Sequence, residues 1–193
     1  MMTQPIVTDR LYLRRFAVSD AEACYCNWMS DPEVTHFLTW GVHPDVEHTR
    51  KVLTEWVREY SRGSLDWCIT LRGEYVPIGS VTAVRQHPES GYCELGYCLA
   101  QDYWDKGYMT EAIRAVTGYI FTNTPYRRIQ ARHEIENEAS GRCLEKSGFH
   151  EIGRFVRDNP KTGRPCIYRM MSVDRPSRFR ISQEVRCVPY LSS

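Results

Sequence analysis

The chain has 193 residues, of which 42% are hydrophobic and 25% charged, and its formal net charge is +1. This length suits one globular domain with a hydrophobic core, and this composition excludes a chain that is disordered throughout. The nearly balanced charge provides no basic surface of the kind that binds a nucleic-acid backbone, so nucleic acid is not an expected partner.

The eight cysteines include no Cys-x-x-Cys pair, which argues against a zinc ribbon and against a thioredoxin-type redox site. Several, such as Cys68, lie in apolar runs, where a free thiol behaves as a small buried hydrophobe. No apolar run approaches the roughly 18 residues of a membrane span, and the first residues lack a signal-peptide pattern. We therefore expect free thiols, no metal, no membrane partner and a reducing cytoplasmic location.

The residue patterns in the first third of the chain predict one strand and two helices. Leu11 to Leu13 has the pattern of a short strand. Ser19 to Glu22 has the pattern of a capping box, which predicts a helix running toward Trp28. From Pro44 to Tyr60 apolar residues recur at the spacing of an amphipathic helix, and Gly63 is expected to end it.

The rest of the chain changes from consecutive strands to alternating helices and strands. Turn residues separate three strand-like runs, which predict an antiparallel meander: Asp66 to Leu71, Ile78 to Val84 and Tyr92 to Leu99. The later elements are predicted as a helix from Gly107 to about Asn123, a strand at Arg128 to His133, a helix from Asn137 to Ser147, and strands at Phe149 to Phe155 and Cys166 to Val173. This order predicts an α+β domain with one crossover.

We assign this domain to residues 1–174. The remaining segment, residues 175–193, contains four arginines and one glutamate, so its net charge is +3. It has no sustained hydrophobic period, and we predict an Arg-rich C-terminal tail that is poorly ordered.

Gly107 stands at the entrance of a helix, in the stretch WDKGYMTEA at residues 104–112. Glycine destabilises a helix by about 1 kcal/mol relative to alanine, so its presence there suggests a special demand on the backbone. A helix N-terminus carries unpaired N–H groups and about half a positive charge, and Gly107 would let a phosphate approach them. A simple strand-to-helix turn is an equally good interpretation. A P-loop and a dinucleotide fingerprint are both disfavoured, because the additional glycines they need are absent.

Two stretches, YWDKGYMTEA and ENEASGRCLEKSGF, resemble the GNAT superfamily of acyl-CoA-dependent N-acetyltransferases, and most closely its branch typified by RimJ and RimL, which acetylates N-terminal amines of ribosomal proteins. TDRLYLRRF resembles the first strand of that branch and YCELGYCL its fourth, so the resemblance extends from residue 8 to about residue 173. It implies a GNAT-like fold, with a mixed, mostly antiparallel sheet of about seven strands flanked by helices. It also implies direct transfer of the acetyl group of acetyl-CoA to a primary amine, without a metal.

The resemblance further implies where acetyl-CoA binds. Its diphosphate would lie against the backbone of Lys106, Gly107, Tyr108, Met109 and Thr110. Its pantetheine arm would pair like an added strand with Tyr97, Cys98 and Leu99 and would contact Asn137. A helix N-cap is an equally good role for Asn137 and is compatible with that contact. Asp105 stands where the branch often has glycine, and it places a negative charge near the diphosphate.

Direct transfer requires a base for the amine, donors for the oxyanion and stabilisation of the departing thiolate. Glu94, a carboxylate inside an apolar strand run, is the candidate base, and the alternative is a solvated surface glutamate. A period of two places it on one face with Gly96 and Cys98, unless a bulge near Gly96 resets the alternation. A backbone N–H between Leu95 and Tyr97 is the expected oxyanion donor.

Many family members use a tyrosine on the last helix as the general acid, and here that position is Leu144. The resemblance points instead to Ser140, which would hydrogen-bond the thiolate. The alternative for Ser140 is a first-turn serine that caps backbone groups. Cys143 is predicted to be a core thiol rather than a nucleophile, because no base is assigned near it.

The acceptor pocket is expected to form from the first helices and the loop at His87 to Gly91. The aromatic residues expected there, which could instead belong to the core, are Trp28, Phe37 and Trp40. Three further residues could attract an amine or belong to a solvated loop: His133, Glu134 and Glu136.

The strength of the base favours one class of acceptor. An α-amine, with a pKa of about 7.7 to 8.0, is largely neutral near the cytoplasmic pH, whereas lysine, with a pKa of about 10.4, is not. A weak carboxylate base therefore suits a protein N-terminus or a small amine of low pKa, although lysine is not excluded. We expect an acetyltransferase that acts as a monomer or homodimer. The alternative is a catalytically weak acyl-CoA-binding or protein-interaction module, if Asp105 and Leu144 reflect lost chemistry.

Overall fold

A computed structural model describes residues 3–177 and 186–187, which form one mixed sheet with helices on both faces. Within these residues the sheet has nine strands in the order β7-β8-β6-β5-β4-β3-β2-β1-β9. The strands are β1 (Ile6–Val7), β2 (Leu11–Arg14), β3 (Asp66–Leu71), β4 (Pro77–His87), β5 (Tyr92–Leu99), β6 (Arg128–Glu134), β7 (His150–Asp158), β8 (Pro165–Asp174) and β9 (Arg186–Cys187).

The α+β class and the mostly antiparallel sheet are confirmed, because β5 and β6 form the one parallel pair among the described strands. Seven of the strands match the seven predicted from the sequence, although β4 is longer than expected and extends to His87. The two unpredicted strands, β1 and β9, have two residues each. A pattern of two residues is too short to show a period of two.

Five α-helices flank this sheet in the described part of the chain. They are α1 (Ala21–Cys24), α2 (Pro32–Thr35), α3 (Val46–Glu59), α4 (Tyr108–Asn123) and α5 (Glu138–Lys146). The apolar stripe of α4, with Ile113, Val116 and Ile120, packs on one sheet face in the main core. On the opposite face α1 and α3 enclose a second core around Trp28 and Leu53. Each face of the sheet is therefore covered by its own helix layer.

The predicted capping box at Ser19 to Glu22 is wrong. A 3-10 turn, Val18–Asp20, precedes α1, and the carboxylate of Asp20 accepts a hydrogen bond from the backbone N–H of Ala17 at 2.8 Å. Arg14 also binds this carboxylate through two nitrogens, at 2.7 and 2.9 Å. The carboxylate of Asp20 is therefore bound at the start of α1. After α1 the chain continues through a π-helical turn, Tyr25–Met29.

The predicted amphipathic helix is confirmed by α3, which begins two residues after Pro44 and is followed by a turn that ends at Gly63. Asp45 caps the helix, because its carboxylate accepts the N–H of His48 at 2.7 Å. At the other end a 3-10 turn leads into Gly63, whose φ of 88° lies in the left-handed region that glycine tolerates.

A gap opens between β5 and β6. The two strands pair only from Tyr92 with Arg128 to Leu95 with Ala131. Beyond Ala131, β6 continues to pair with β8 as far as Glu134, whereas no described strand pairs with residues 96–99 of β5 on that side. The crossover between the two strands contains α4, whose N-terminus follows closely after the end of β5. The gap and this helix start therefore lie at the same end of the sheet.

The bulge in this region lies in β4, not near Gly96 in β5 as the sequence suggested. The register of β4 and β5 shifts between Ala83 and Arg85, which makes Val84 the extra residue. A Cβ on Gly96 would lie 2.8 Å from Cγ1 of Val84, so the glycine accommodates the bulged valine. Because β5 itself is not bulged, its alternation is not reset.

Only part of the predicted tail lies within the described residues. Arg175 donates a hydrogen bond to the carbonyl oxygen of Thr124 at 2.6 Å. The backbone of β9 pairs antiparallel with β1, with Cys187 opposite Ile6. The rest of the tail lies outside the described residues, so the division at residue 174 stays a prediction. None of the helices in the described ranges is both long enough and apolar enough to cross a membrane.

Candidate active site

The edge of β5 that faces the gap exposes backbone groups of alternate residues. The N–H of Ala100 bonds to the carbonyl of Ile78 at 2.8 Å, so alternation directs the backbone of Cys98 toward β4 and that of Tyr97 and Leu99 toward the gap. The carbonyl of Leu99 accepts the indole N–H of Trp104 at 2.7 Å. The groups left for a ligand are the N–H and carbonyl of Tyr97 and the N–H of Leu99.

The expectation that Cys98 pairs with the pantetheine arm is therefore wrong. A Cβ on Gly79 of β4 would lie 2.4 Å from the carbonyl oxygen of Cys98, which places that oxygen against β4. The thiol of Cys98 lies 3.3 Å from the hydroxyl of Ser80, and burial raises its pKa to about 11. An added strand binds alternate residues, so Tyr97 and Leu99 suffice to hold one.

The start of α4 has the backbone geometry expected of a phosphate cradle. Gly107 is the N-cap residue, with φ at 79° and no side-chain cap, and the first helical residues are Tyr108, Met109 and Thr110. Their N–H groups have no acceptor within the helix. Asp105 also has a positive φ, at 57°, which explains why glycine suits its position and why aspartate is tolerated there.

The side chains beside the cradle are engaged with the protein. The ammonium of Lys106 donates to the carbonyl of Asp102 at 2.7 Å and lies over the ring of Tyr103. The hydroxyl of Thr110 lies 3.4 Å from the thiol of Cys143 on α5. The backbone is therefore the part of residues 106–110 best placed to contact an anion.

Arg10 holds this loop from the turn between β1 and β2, which sequence reasoning missed. Its guanidinium donates to the carbonyl of Lys106 at 2.9 Å and to Glu111 at 2.6 Å, and it lies 4.6 Å from the ring centroid of Tyr108. Burial by itself would raise the pKa of Glu111, but hydrogen bonds from Thr8 and from the backbone and side chain of Arg10 lower it. Arg10 lies in the motif TDRLYLRRF, but it is 101 positions from Glu111, so no local signal predicts the contact.

Asn137 and Ser140 form the first turn of α5 beside the gap. The side-chain oxygen of Asn137 accepts the N–H of Ser140 at 3.0 Å, so the N-cap role is confirmed. The hydroxyl of Ser140 lies 2.7 Å from the phenol oxygen of Tyr97. Sequence reasoning assigned only the backbone of Tyr97 and missed this side-chain contact, which links residues 43 positions apart.

Leu144 and Cys143, further along α5, belong to the packing of the domain. Leu144 has no exposed surface, and Cys143 packs against the main core. Burial raises the pKa of the Cys143 thiol, which keeps it protonated at neutral pH. Both observations agree with a core role and leave Ser140 as the polar group of this helix face.

Glu94 is buried and held by two arginines. Its side chain is 8% exposed, and its oxygens pair with Arg85 at 2.8 Å and with Arg132 at 3.3 Å. Each carboxylate oxygen of Glu94 therefore already has a cationic partner. The alternative of a solvated surface glutamate is excluded by the burial, and the role of base stays a prediction.

Glu134, at the end of β6, is a buried carboxylate with neutral partners. It is 9% exposed, and one oxygen accepts hydrogen bonds from Asn159 at 2.7 Å and from the phenol of Tyr168 at 3.1 Å. Among the described residues it forms no ion pair within 4.0 Å. Burial and then the negative charge of Glu134 raise the pKa of Tyr168 to about 12.

The loop that holds Asn159 also reaches the predicted acceptor side. Lys161 donates to the carbonyl oxygens of Thr35 and His36 at 2.7 and 2.8 Å, which brings this loop against the end of α2. Phe37 and Trp40, which follow α2, are half-buried and remain candidates for acceptor contacts.

Two expectations for the acceptor pocket are wrong. Trp28 has no exposed surface and belongs to the second core, so it cannot touch a substrate without repacking. The loop at His87 to Gly91 lies at the start of β5, roughly 16 Å of strand away from Tyr97.

Of the three residues that could attract an amine, His133 and Glu134 are buried and Glu136 is exposed.

Comparisons with known proteins agree with this geometry. The model of the acetyltransferase (GNAT) domain family matches residues 10–150. The chain is 31% identical over 160 residues to an uncharacterized N-acetyltransferase, p20, of Bacillus licheniformis, an alignment that covers 82% of this chain and 88% of that protein. A GNAT acetyltransferase of Bacillus anthracis has a similar structure, with a TM-score of 0.77 and 26% identity over 88% of this chain and 98% of that one.

The fold is also that of RimL, a ribosomal L7/L12 α-N-protein acetyltransferase solved in complex with coenzyme A. The TM-score is 0.77, and the match covers 88% of this chain and 97% of that one at 20% identity. The chain therefore belongs to the GNAT acetyltransferase family, and it is an N-acetyltransferase that uses acetyl-CoA to acetylate an amine.

Proposed function

We propose that this enzyme transfers the acetyl group directly to a primary amine in a ternary complex, and that the acceptor is a protein N-terminal α-amine or a small amine of low pKa. The observation that carries the proposal is the gap beside Tyr97, which lies between the N-terminus of α4 and Ser140 on α5. Acetyl-CoA lying in this gap would have its phosphates beside the N-terminus of α4 and its thioester sulfur beside Ser140.

In this arrangement acetyl-CoA is held mainly by backbone groups. The diphosphate lies at residues 106–110, where unpaired N–H groups and the helix dipole favour an anion. The pantetheine arm pairs with Tyr97 and Leu99 in the gap, and the side-chain N–H₂ of Asn137 is available to donate to it, because the oxygen of that amide serves as the cap. The N–H of Tyr97 is the donor proposed for the oxyanion.

The base that the contacts favour is Glu134. Glu94 is already paired with two arginines, whereas the described partners of Glu134 are neutral side chains, so Glu134 can pair with an incoming ammonium without competing with an arginine. Pairing and alternation place Glu134 and Tyr168 on the sheet face that also carries Glu94 and Arg132. Arg132 lies 5.9 Å from the ring centroid of Tyr168.

A weak base of this kind suits an α-amine, which is largely neutral near pH 7.5, better than a lysine side chain. RimL, with the same fold, is named as an α-N-protein acetyltransferase. A protein N-terminus is therefore the first acceptor to test. A cytoplasmic location and a monomeric or homodimeric state complete the proposal.

Acetyl-CoA is expected to raise the thermal midpoint of the protein. A ligand that binds only the folded state stabilises it by about 2.7 kcal/mol at a hundredfold excess over its Kd, which corresponds to roughly 5 to 10 °C for a chain of this size. Differential scanning calorimetry measures the shift, and thiol release measures catalysis with three acceptor classes. These are peptides with a free α-amine, peptides whose only amine is lysine, and small amines.

We expect the largest kcat/KM for the peptides with a free α-amine. A preference for the lysine peptides would contradict the proposed acceptor. Binding of acetyl-CoA without thiol release in any class would favour the acyl-CoA-binding module instead.

Replacement of Arg10 by alanine is expected to weaken acetyl-CoA binding about 5- to 30-fold, because the hydrogen bond that fixes the Lys106 carbonyl is worth about 1 to 2 kcal/mol. Arg50→Ala is the matched control: Arg50 is also 46% exposed and paired with a glutamate, but it lies on α3. Isothermal titration calorimetry gives both Kd values. Equal Kd values for the two variants would show that Arg10 does not organise the cradle.

A further inference from the structure

The phenol of Tyr97 and the hydroxyl of Ser140 join two elements across the proposed thioester site. Their oxygens are 2.7 Å apart, and the same phenol lies 3.4 Å from the carbonyl oxygen of Ser140. Tyr97 projects from β5 and Ser140 from the first turn of α5. Among the described residues, both hydrogen-bond partners of this phenol belong to Ser140.

The direction of this hydrogen bond determines what Ser140 can do. A serine hydroxyl rotates freely and has one proton to donate. If the phenol donates to the serine oxygen, the serine proton is free to point elsewhere. Burial raises the pKa of the Tyr97 phenol far above neutrality, so the phenol keeps its proton and remains able to donate.

The reaction creates an acceptor for that serine proton. As the bond from the amine nitrogen to the acetyl carbon forms, the bond from carbon to sulfur breaks, and the sulfur leaves with the electron pair. The proton lost by the amine goes to the base, and the thiolate takes a proton from water after it leaves. A hydroxyl hydrogen directed at the sulfur stabilises the thiolate in the interval, because hydrogen bonds to charged groups are the strong ones.

We propose that Tyr97 is a positioning residue that orients the hydroxyl of Ser140 toward the sulfur of coenzyme A. This role rests on the proposed function, because it requires the thioester sulfur to lie beside Ser140. It also explains how the domain dispenses with a tyrosine at Leu144, which is fully buried. The phenol at the site comes from β5 instead of α5 and acts through the serine.

The test uses coenzyme A itself and does not depend on the acceptor. The pH at which the bound thiol ionises is followed by the ultraviolet absorbance of the thiolate. The proteins are the wild type, Tyr97→Phe, Ser140→Ala and the double variant. Tyr126→Phe is the control, because Tyr126 is buried and its phenol is also hydrogen-bonded to a side chain, that of Gln86 at 3.0 Å.

In the wild type and the control, the bound thiol is expected to ionise about one pH unit lower than free coenzyme A, a roughly tenfold stabilisation of the thiolate. Each single variant loses most of this shift, and the double variant loses no more than Ser140→Ala, because the two groups act as a unit. In thiol release, kcat falls by roughly tenfold in each single variant and again no further in the double variant.

Additive losses, or a full shift in Tyr97→Phe, would overturn the role of Tyr97. A wild type that shows the ionisation shift but releases no thiol with any amine would contradict the proposed function and leave the orientation of Ser140 standing. No shift in the wild type would overturn the inference, whether or not the protein catalyses acetyl transfer.

Discussion

Gly107→Val is expected to raise the Kd for acetyl-CoA at least about 100-fold, because a β-branched residue cannot hold the left-handed backbone that aims the first N–H groups of α4 at the diphosphate. Two lost hydrogen bonds to a charged group account for an effect of this size. An added Cβ at Gly107 meets no atom nearer than 3.5 Å, so the fold itself is expected to survive with a loss of about 1 to 2 kcal/mol.

Gly73→Val is the matched control for this experiment. Gly73 has a φ of 87°, and a Cβ there would have no neighbour within 4 Å, so valine introduces the same backbone strain in the turn between β3 and β4. Calorimetry should show similar losses of thermal stability in the two variants and a changed Kd in Gly107→Val alone. Unchanged binding by Gly107→Val would show that the glycine serves only the strand-to-helix turn.

Glu134→Gln is expected to lower kcat/KM about 10- to 100-fold at pH ~6.5 and to approach the wild type above pH ~8. The direction of this pH dependence follows from the protonation state of the acceptor amine. Below the pKa of an α-amine, about 7.7 to 8.0, most of the substrate is protonated and needs the base, whereas above it the neutral amine is already present. Glutamine can still accept the hydrogen bonds from Asn159 and Tyr168, so the decrease in kcat/KM measures the effect of removing the negative charge.

Glu94→Gln should behave differently, because both oxygens of Glu94 are engaged by arginines. The variant leaves Arg132, which is 18% exposed, without its partner, and a loss of about 1 to 3 kcal/mol in the free energy of unfolding is expected. Its profile of kcat/KM against pH should run parallel to that of the wild type. A deficit confined to low pH in Glu94→Gln, with none in Glu134→Gln, would establish Glu94 as the base.

The parts of the fold that the sequence predicted are those encoded by neighbouring residues. The amphipathic spacing of α3 and α4 and the short apolar runs of seven strands were enough to place those elements. A special role for Gly107 could be inferred, because glycine destabilises a helix start unless the backbone there adopts a conformation that other residues avoid. The motifs around it were sufficient to identify the family.

The failures occurred where a residue's role depends on a neighbour in space. Ser19 has the residue type of a cap, but the carboxylate that orders this helix entrance belongs to Asp20, which binds Arg14 and the N–H of Ala17. Trp28 looked available for a substrate, yet packing against α3 buries it completely. Residue type and periodicity indicate which role a side chain favours. They do not show which residues it contacts in the folded protein.

The sequence by itself therefore determined the class of the fold, the order of its main elements and the helix start at Gly107. Only the tertiary structure decided that Arg10 binds the loop before this helix, that Tyr97 meets Ser140, and that Glu94 is paired with arginines whereas Glu134 is not. The first set depends on repeats of two and 3.6 residues, which are visible within one segment. The second depends on contacts between strands and helices far apart in the chain, and these are set by sheet register, by the bulge at Val84 and by the direction of each side chain.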